Sequence, residues 1–200
     1  MRLYHGTPSS RGEKIIEDKV ILHNVKRLYN DHFSLKNISC NISYNNVNIP
    51  STLETTDGYV YLTDSLFYAI YYGNKNSIVL THDDFFYIFQ VDVDLSELEP
   101  VTDEIMMTTS TPVDTIKNAN DSLACCRSAR LAKSISSTDY SIKYIKLPTT
   151  LNFDDENSHL IQKIVKEFSR EFDASNEHII NYVSQLKNDL FSTYPYWEEL

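Results

Sequence analysis

The spacing of apolar positions changes several times along the chain, and each change marks an element. Arg2 to His5 alternates as a short first strand. Ser10-Arg11-Gly12-Glu13 then has the spacing of a capping box. Ile15, Ile16 and Val20 follow it as an apolar side, so a short helix is predicted there, with Gly12 weakening its first turn. Residues 24–57 are polar, rich in Asn and Ser, and hold no steady period, which predicts a long loop with short strands. Gly58 to Leu62 is aromatic and β-branched, a strand. Asp64 or Ser65 can cap the next segment, where Leu66, Ala69 and Ile70 share a helical face and Gly73 supplies a stop. Phe85 to Leu95 is the strongest strand pattern in the chain. Residues 100–121 read as a second loop, and Leu123 to Ile135 and Tyr140 to Leu147 as two strands around a polar turn.

The period shifts to that of helices after Pro148. Ile161, Ile164, Val165, Phe168 and Phe172 fall at helical spacing, as do Ile179, Val183, Leu186 and Leu190. Two amphipathic helices are predicted. The change places a boundary near residues 148–152, dividing the chain into a domain of residues 1–148 and a helical appendage of residues 149–200.

Composition narrows the chemistry. Only 4 glycines occur among 200 residues, and neither GxGxxG nor GxxxxGK[ST] is present, so a glycine-rich phosphate loop is excluded. The formal net charge of -10 weighs against nucleic acid, because a bare acidic surface repels phosphates, but leaves room for a local basic groove, so a protein and a nucleic acid both stay open as partners. Cys40, Cys125 and Cys126 are odd in number and lack a CxxC spacing, so neither a disulfide framework nor a zinc site is expected. The N-terminus lacks the apolar run of a signal peptide, and no stretch approaches a membrane span. A cytoplasmic protein without a membrane partner is the expectation. The 14 tyrosines suit half-buried strands and also flat ligands.

Three segments carry the candidate chemistry. Leu3-Tyr4-His5-Gly6-Thr7 is a strand ending in His-Gly, followed by a helix. Gly58-Tyr59-Val60-Tyr61-Leu62-Thr63-Asp64 runs into a helix with Ala69, Tyr71 and Tyr72. Phe86 to Val93 is the strand pattern after it. In this order they resemble the catalytic domain of the poly(ADP-ribose) polymerase and diphtheria-toxin group of ADP-ribosyltransferases, over residues 1–148. The resemblance implies an α+β fold with split antiparallel β-sheets around an NAD-binding cleft, followed here by the C-terminal pair of helices. NAD would be the substrate. His5 would hold the ribose, Gly6 the nicotinamide amide, and Tyr61 would pack against nicotinamide. Tyr72, or secondarily Tyr71, would be the stacking ring, and Thr7 would lie near the adenosine ribose. The residue types suit the reaction: loss of nicotinamide passes through an oxocarbenium-like state that needs an oriented ribose and a held ring.

The sequence departs from the family pattern at two points. Tyr68 stands where the family has a serine before the helix Ala, and no acid lies between Cys125 and Arg130, where transferring members carry a glutamate. Arg127 stands near that place and would neutralise a phosphate; Asp114 and Asp121 are the nearest acids. The leading expectation is a mono-ADP-ribosyltransferase acting on a macromolecule, a bacterial toxin, effector or defence protein. An inactive NAD- or ADP-ribose-binding module and an RNA 2'-phosphotransferase-like enzyme are the alternatives. A protein partner is expected to dock through the C-terminal helices. Tyr61 also fits an alternating strand with one buried tyrosine, and Tyr71 and Tyr72 fit helix packing equally well.

Overall fold

The computed structural model describes residues 1–23, 58–101, 112–171 and 176–200. Mixed helix and antiparallel sheet make up the fold. The strands are β1 (Arg2–Pro8), β2 (Val20–Ile21), β3 (Val60–Thr63), β4 (Phe85–Asp92), β5 (Glu99–Pro100), β6 (Ser128–Leu131), β7 (Ile135–Ser136), β8 (Ile142–Pro148) and β9 (Glu198–Glu199). The helices are α1 (Ser9–Asp18), α2 (Leu66–Asn76), α3 (Ala119–Cys126), α4 (Ser158–Glu167) and α5 (Glu177–Thr193). A seven-stranded sheet runs β5-β6-β3-β1-β4-β8-β9, and β2 pairs with β7 in a two-stranded sheet. The predicted loop over residues 24–57 and the helical position of Phe172 lie outside the described residues.

Alternation sorts the side chains of the large sheet into two cores. Leu3, Val60, Leu62, Phe89, Val91, Ala129, Leu131 and Ile142 form one, with Ile15 of α1 and Leu123 of α3 laid against it. Phe86, Ile88, Ile145 and Leu147 leave by the other face and meet Leu66, Phe67, Ala69 and Ile70 of α2. Ile161 and Ile164 of α4 and Val183, Leu186 and Leu190 of α5 are buried in that same second core. The apolar stripes of the two C-terminal helices are thus spent inside the molecule, against residues of the first 148.

Several local expectations are corrected. The capping-box spacing at Ser10 is not used: Pro8 is the N-cap of α1 and makes no side-chain cap. The Ser10 backbone N–H and hydroxyl instead donate to Asp83 Oδ2 at 3.0 and 2.9 Å. Gly73 does not stop α2, which continues through it to Asn76 and on into a wider turn over Ser77–Thr81. The segment predicted as a strand from Leu123 to Ile135 begins inside α3. The Asn118 side chain accepts from Asp121 N–H at 3.1 Å to start that helix, and Arg127 ends it at φ 61°. Ala119, Ser122, Leu123 and Cys126 are its buried positions, a helical spacing that the short apolar run conceals.

Candidate functional site

The site begins where two neighbouring strands part. β1 pairs with β4 along its whole length, from Arg2 opposite Asp92 to Pro8 opposite Phe86. On its other side β1 shares with β3 the single register pair Tyr4–Thr63. β3 is held from beyond by β6, with Val60 to Thr63 opposite Leu131 to Ser128. Past Tyr4, therefore, β1 and β3 diverge within one sheet.

His5 lies at that divergence. Its Nδ1 is 2.9 Å from the carbonyl oxygen of Tyr61. A carbonyl only accepts, so Nδ1 carries the hydrogen and Nε2 is the acceptor of the neutral ring. Burial holds the ring below the ordinary histidine range; the bond to Tyr61 opposes this, and the charge of Arg11 adds to it. His5 is consequently a neutral imidazole of fixed tautomer at neutral pH.

The Tyr4–Thr63 pair also fixes the faces. Directly opposed residues share a face, so Tyr61 lies on the face of Tyr4, Gly6 and Thr63, while His5 lies on that of Leu3 and Thr7. The two expected site residues meet through the ring of one and the backbone of the other, and their side chains leave by opposite faces. Thr7 is buried.

Gly6 turns toward α2. A Cβ there would stand 2.1 Å from the carbonyl oxygen of Ala69 and 3.0 Å from the backbone nitrogen of Gly73. The absence of a side chain at Gly6 is needed for this strand–helix approach, and Gly73 serves it from the other side. What Gly6 leaves to a ligand is its backbone.

Tyr71 and Tyr72 stand half-buried on α2. Phe168, just past α4, stacks on Tyr71 with ring centroids 3.9 Å apart and planes at 9°. Tyr72 meets Tyr71 edge-on at 5.2 Å. Tyr71 thus has one ring face occupied by packing, and Tyr72 does not share that stack.

Arg127 is placed by its left-handed turn so that Nη2 donates to Asp64 Oδ2 at 2.5 Å. Burial pushes the Asp64 carboxyl up, opposed by the charge and hydrogen bond of Arg127. Arg130 lies opposite Tyr61 in register, 3.6 Å from Glu99 and stacked over the Tyr59 ring at 3.9 Å. Both arginines have carboxylate partners.

One acid was missed by the sequence. Glu171 has a side chain only 4% exposed and pairs with Lys187 at 2.8 Å. It also accepts from the Ser65 hydroxyl, whose oxygen in turn accepts from Tyr68 N–H at the start of α2. Its negative charge raises the Asp64 carboxyl further. Glu171 is more than a hundred residues from Ser65 in the chain, and no spacing rule signals the contact. Asp121 is engaged locally, accepting from Lys117 N–H at 2.8 Å, and Asp114 is exposed.

Among the described residues no group of three or more His, Cys, Asp or Glu is placed to hold a metal ion, and no helix is long and apolar enough to cross a membrane. Comparison of the chain with family models, curated proteins and solved structures found no match.

Proposed function

We propose that the chain is an NAD-dependent mono-ADP-ribosyltransferase, with the divergence between β1 and β3 as its NAD site. The observation that carries this reading is the tautomer of His5. A ring that donates through Nδ1 to Tyr61 offers Nε2 to a hydroxyl donor, which is what a ribose presents. A phosphate or carboxylate, being an acceptor, would meet a lone pair there. In this reading the backbone of Gly6 holds the nicotinamide amide on the face shared with Tyr61 and α2, where the Tyr61 and Tyr72 rings contact the base. The ribose reaches His5 Nε2 on the opposite face through the gap between β1 and β3. Thr7 lies behind the adenosine ribose. Arg127 holds Asp64 in place and does not grip a phosphate.

A binding module without chemistry is the second reading. It is favoured by β6, whose residues Ser128-Ala129-Arg130-Leu131 carry no carboxylate beside β3. The RNA 2'-phosphotransferase reading is disfavoured because Arg127 and Arg130 are each matched by an acid. Incubating the pure protein with NAD and following free nicotinamide by mass spectrometry separates the readings. Release that His5→Ala abolishes supports the transferase. NAD binding without release supports the module, and no binding at all removes both.

A further inference from the structure

We infer that Glu171 is a positioning residue for the NAD site: it fixes the start of α2 and, through α2, the close approach of that helix to Gly6. The inference rests on the NAD reading above for its function and on the Gly6 contact for its geometry. Gly6 lies against the Ala69 carbonyl and the Gly73 backbone nitrogen of α2. Ala69 N–H in turn donates to the Ser65 carbonyl at 3.1 Å. Ser65 is fully buried and is the N-cap of α2, its hydroxyl oxygen accepting from Tyr68 N–H at 3.0 Å. The Ser65 N–H donates to Thr63 Oγ1 at 3.1 Å, and Thr63 is the register partner of Tyr4. Ser65 thus joins the end of β3 to the first turn of α2.

A buried hydroxyl has a hydrogen as well as lone pairs, and the hydrogen needs an acceptor. Glu171 is that acceptor. By taking the hydrogen it leaves the Ser65 oxygen to accept from the helix. It also brings a negative charge to a helix start whose own first turn holds no acid. This side chain, only 4% exposed, is matched by Lys187 of α5 at 2.8 Å. The same ammonium lies 5.7 Å from the ring centroid of Phe67, in the first turn of α2. The C-terminal helices therefore reach Gly6 through one line of contacts, from Lys187 to Glu171, Ser65 and Ala69.

Only 4 glycines occur in the chain, so the full protein labelled with nitrogen-15 at glycine gives 4 backbone amide signals. Gly6 and Gly73 lie at the contact, whereas a Cβ at Gly12 would meet Tyr87 and one at Gly58 would meet nothing within 4 Å. In Glu171→Ala the Gly6 and Gly73 signals are expected to shift and those of Gly12 and Gly58 to stay. NAD, followed at the Gly6 signal, is expected to bind about tenfold more weakly. Glu171→Gln keeps an acceptor for the Ser65 hydroxyl and should move the same two signals less. Added to Ser65→Ala, Glu171→Ala should move them no further, since its route is gone. Unmoved Gly6 and Gly73 signals in both Glu171 variants overturn the inference, as does a shift of all four signals together, which marks general loosening. Should Glu171→Ala not fold, Glu171→Gln decides alone. If NAD moves no signal of the parent chain, the NAD reading fails, and the glycine shifts still decide whether Glu171 sets the Gly6 contact.

Discussion

At the scale of single residues, His5 and Gly6 illustrate two different constraints in adjacent positions. The His5 pKa is lowered in the folded protein, chiefly by burial, so the unfolded chain binds that proton more tightly. The resulting stability is fully present above the ordinary histidine value of about 6.5 and is lost as pH falls through the folded value. Urea unfolding of the parent chain is therefore expected to weaken below about pH 6.5, and His5→Gln should flatten that part of the profile. A profile unchanged by His5→Gln would show that the ring is not held neutral. Gly6→Ala tests the packing constraint. Its Cβ would meet backbone atoms of α2, which cannot rotate away, so a loss of about 3 kcal/mol is expected from denaturant midpoints.

At the scale of elements, α1 shows how a local signal is replaced by a distant one. Ser10 has the right residue type and spacing to cap, yet it serves as a donor to Asp83, which closes the first turn of α1 from the loop before β4. Burial raises the Asp83 carboxyl, but the bonds from Ser10, Thr81 and Ser9 outweigh it and the pKa is lowered. Stability from this contact is present above the ordinary aspartate value and lost as pH falls below it. Asp83→Ala is expected to cost about 1 kcal/mol near neutral pH. The gap from the parent chain should close below about pH 4. A constant gap down to pH 2 would mean that the carboxylate charge is not what α1 uses.

At the scale of the whole molecule, the C-terminal helices decide whether residues 1–148 stand alone. Ile161, Ile164, Val183, Leu186 and Leu190 are buried against α2 and the sheet. Each such side chain withdrawn from water is worth on the order of 2 kcal/mol, a large share of the roughly 5–15 kcal/mol that a domain has in hand. A chain ending at Pro148 is expected to be unfolded or molten by near-ultraviolet circular dichroism. A cooperative thermal transition in that fragment would show that the helices are an addition to a complete fold. The same burial leaves Ile180, Tyr182 and Phe191 as the exposed large apolar residues of α5.

The sequence by itself determined the elements with a sustained period: β1, β4, β8, α2 and the two C-terminal helices are all legible as alternation or as helical spacing. It also named His5 and Tyr61 as candidates, through the family resemblance that their two strand patterns carry. It could not show that the two residues meet through a backbone carbonyl and face opposite ways, since faces follow from the pairing of Tyr4 with Thr63 across 59 positions of chain. α3 was hidden because eight residues hold too few apolar positions to separate a helix from a strand. Glu171 and Phe168 read as ordinary positions of an amphipathic tail. Tertiary packing alone brought them onto Ser65 and Tyr71, because a contact between distant segments depends on how helices stack over the sheet and leaves no period in the sequence.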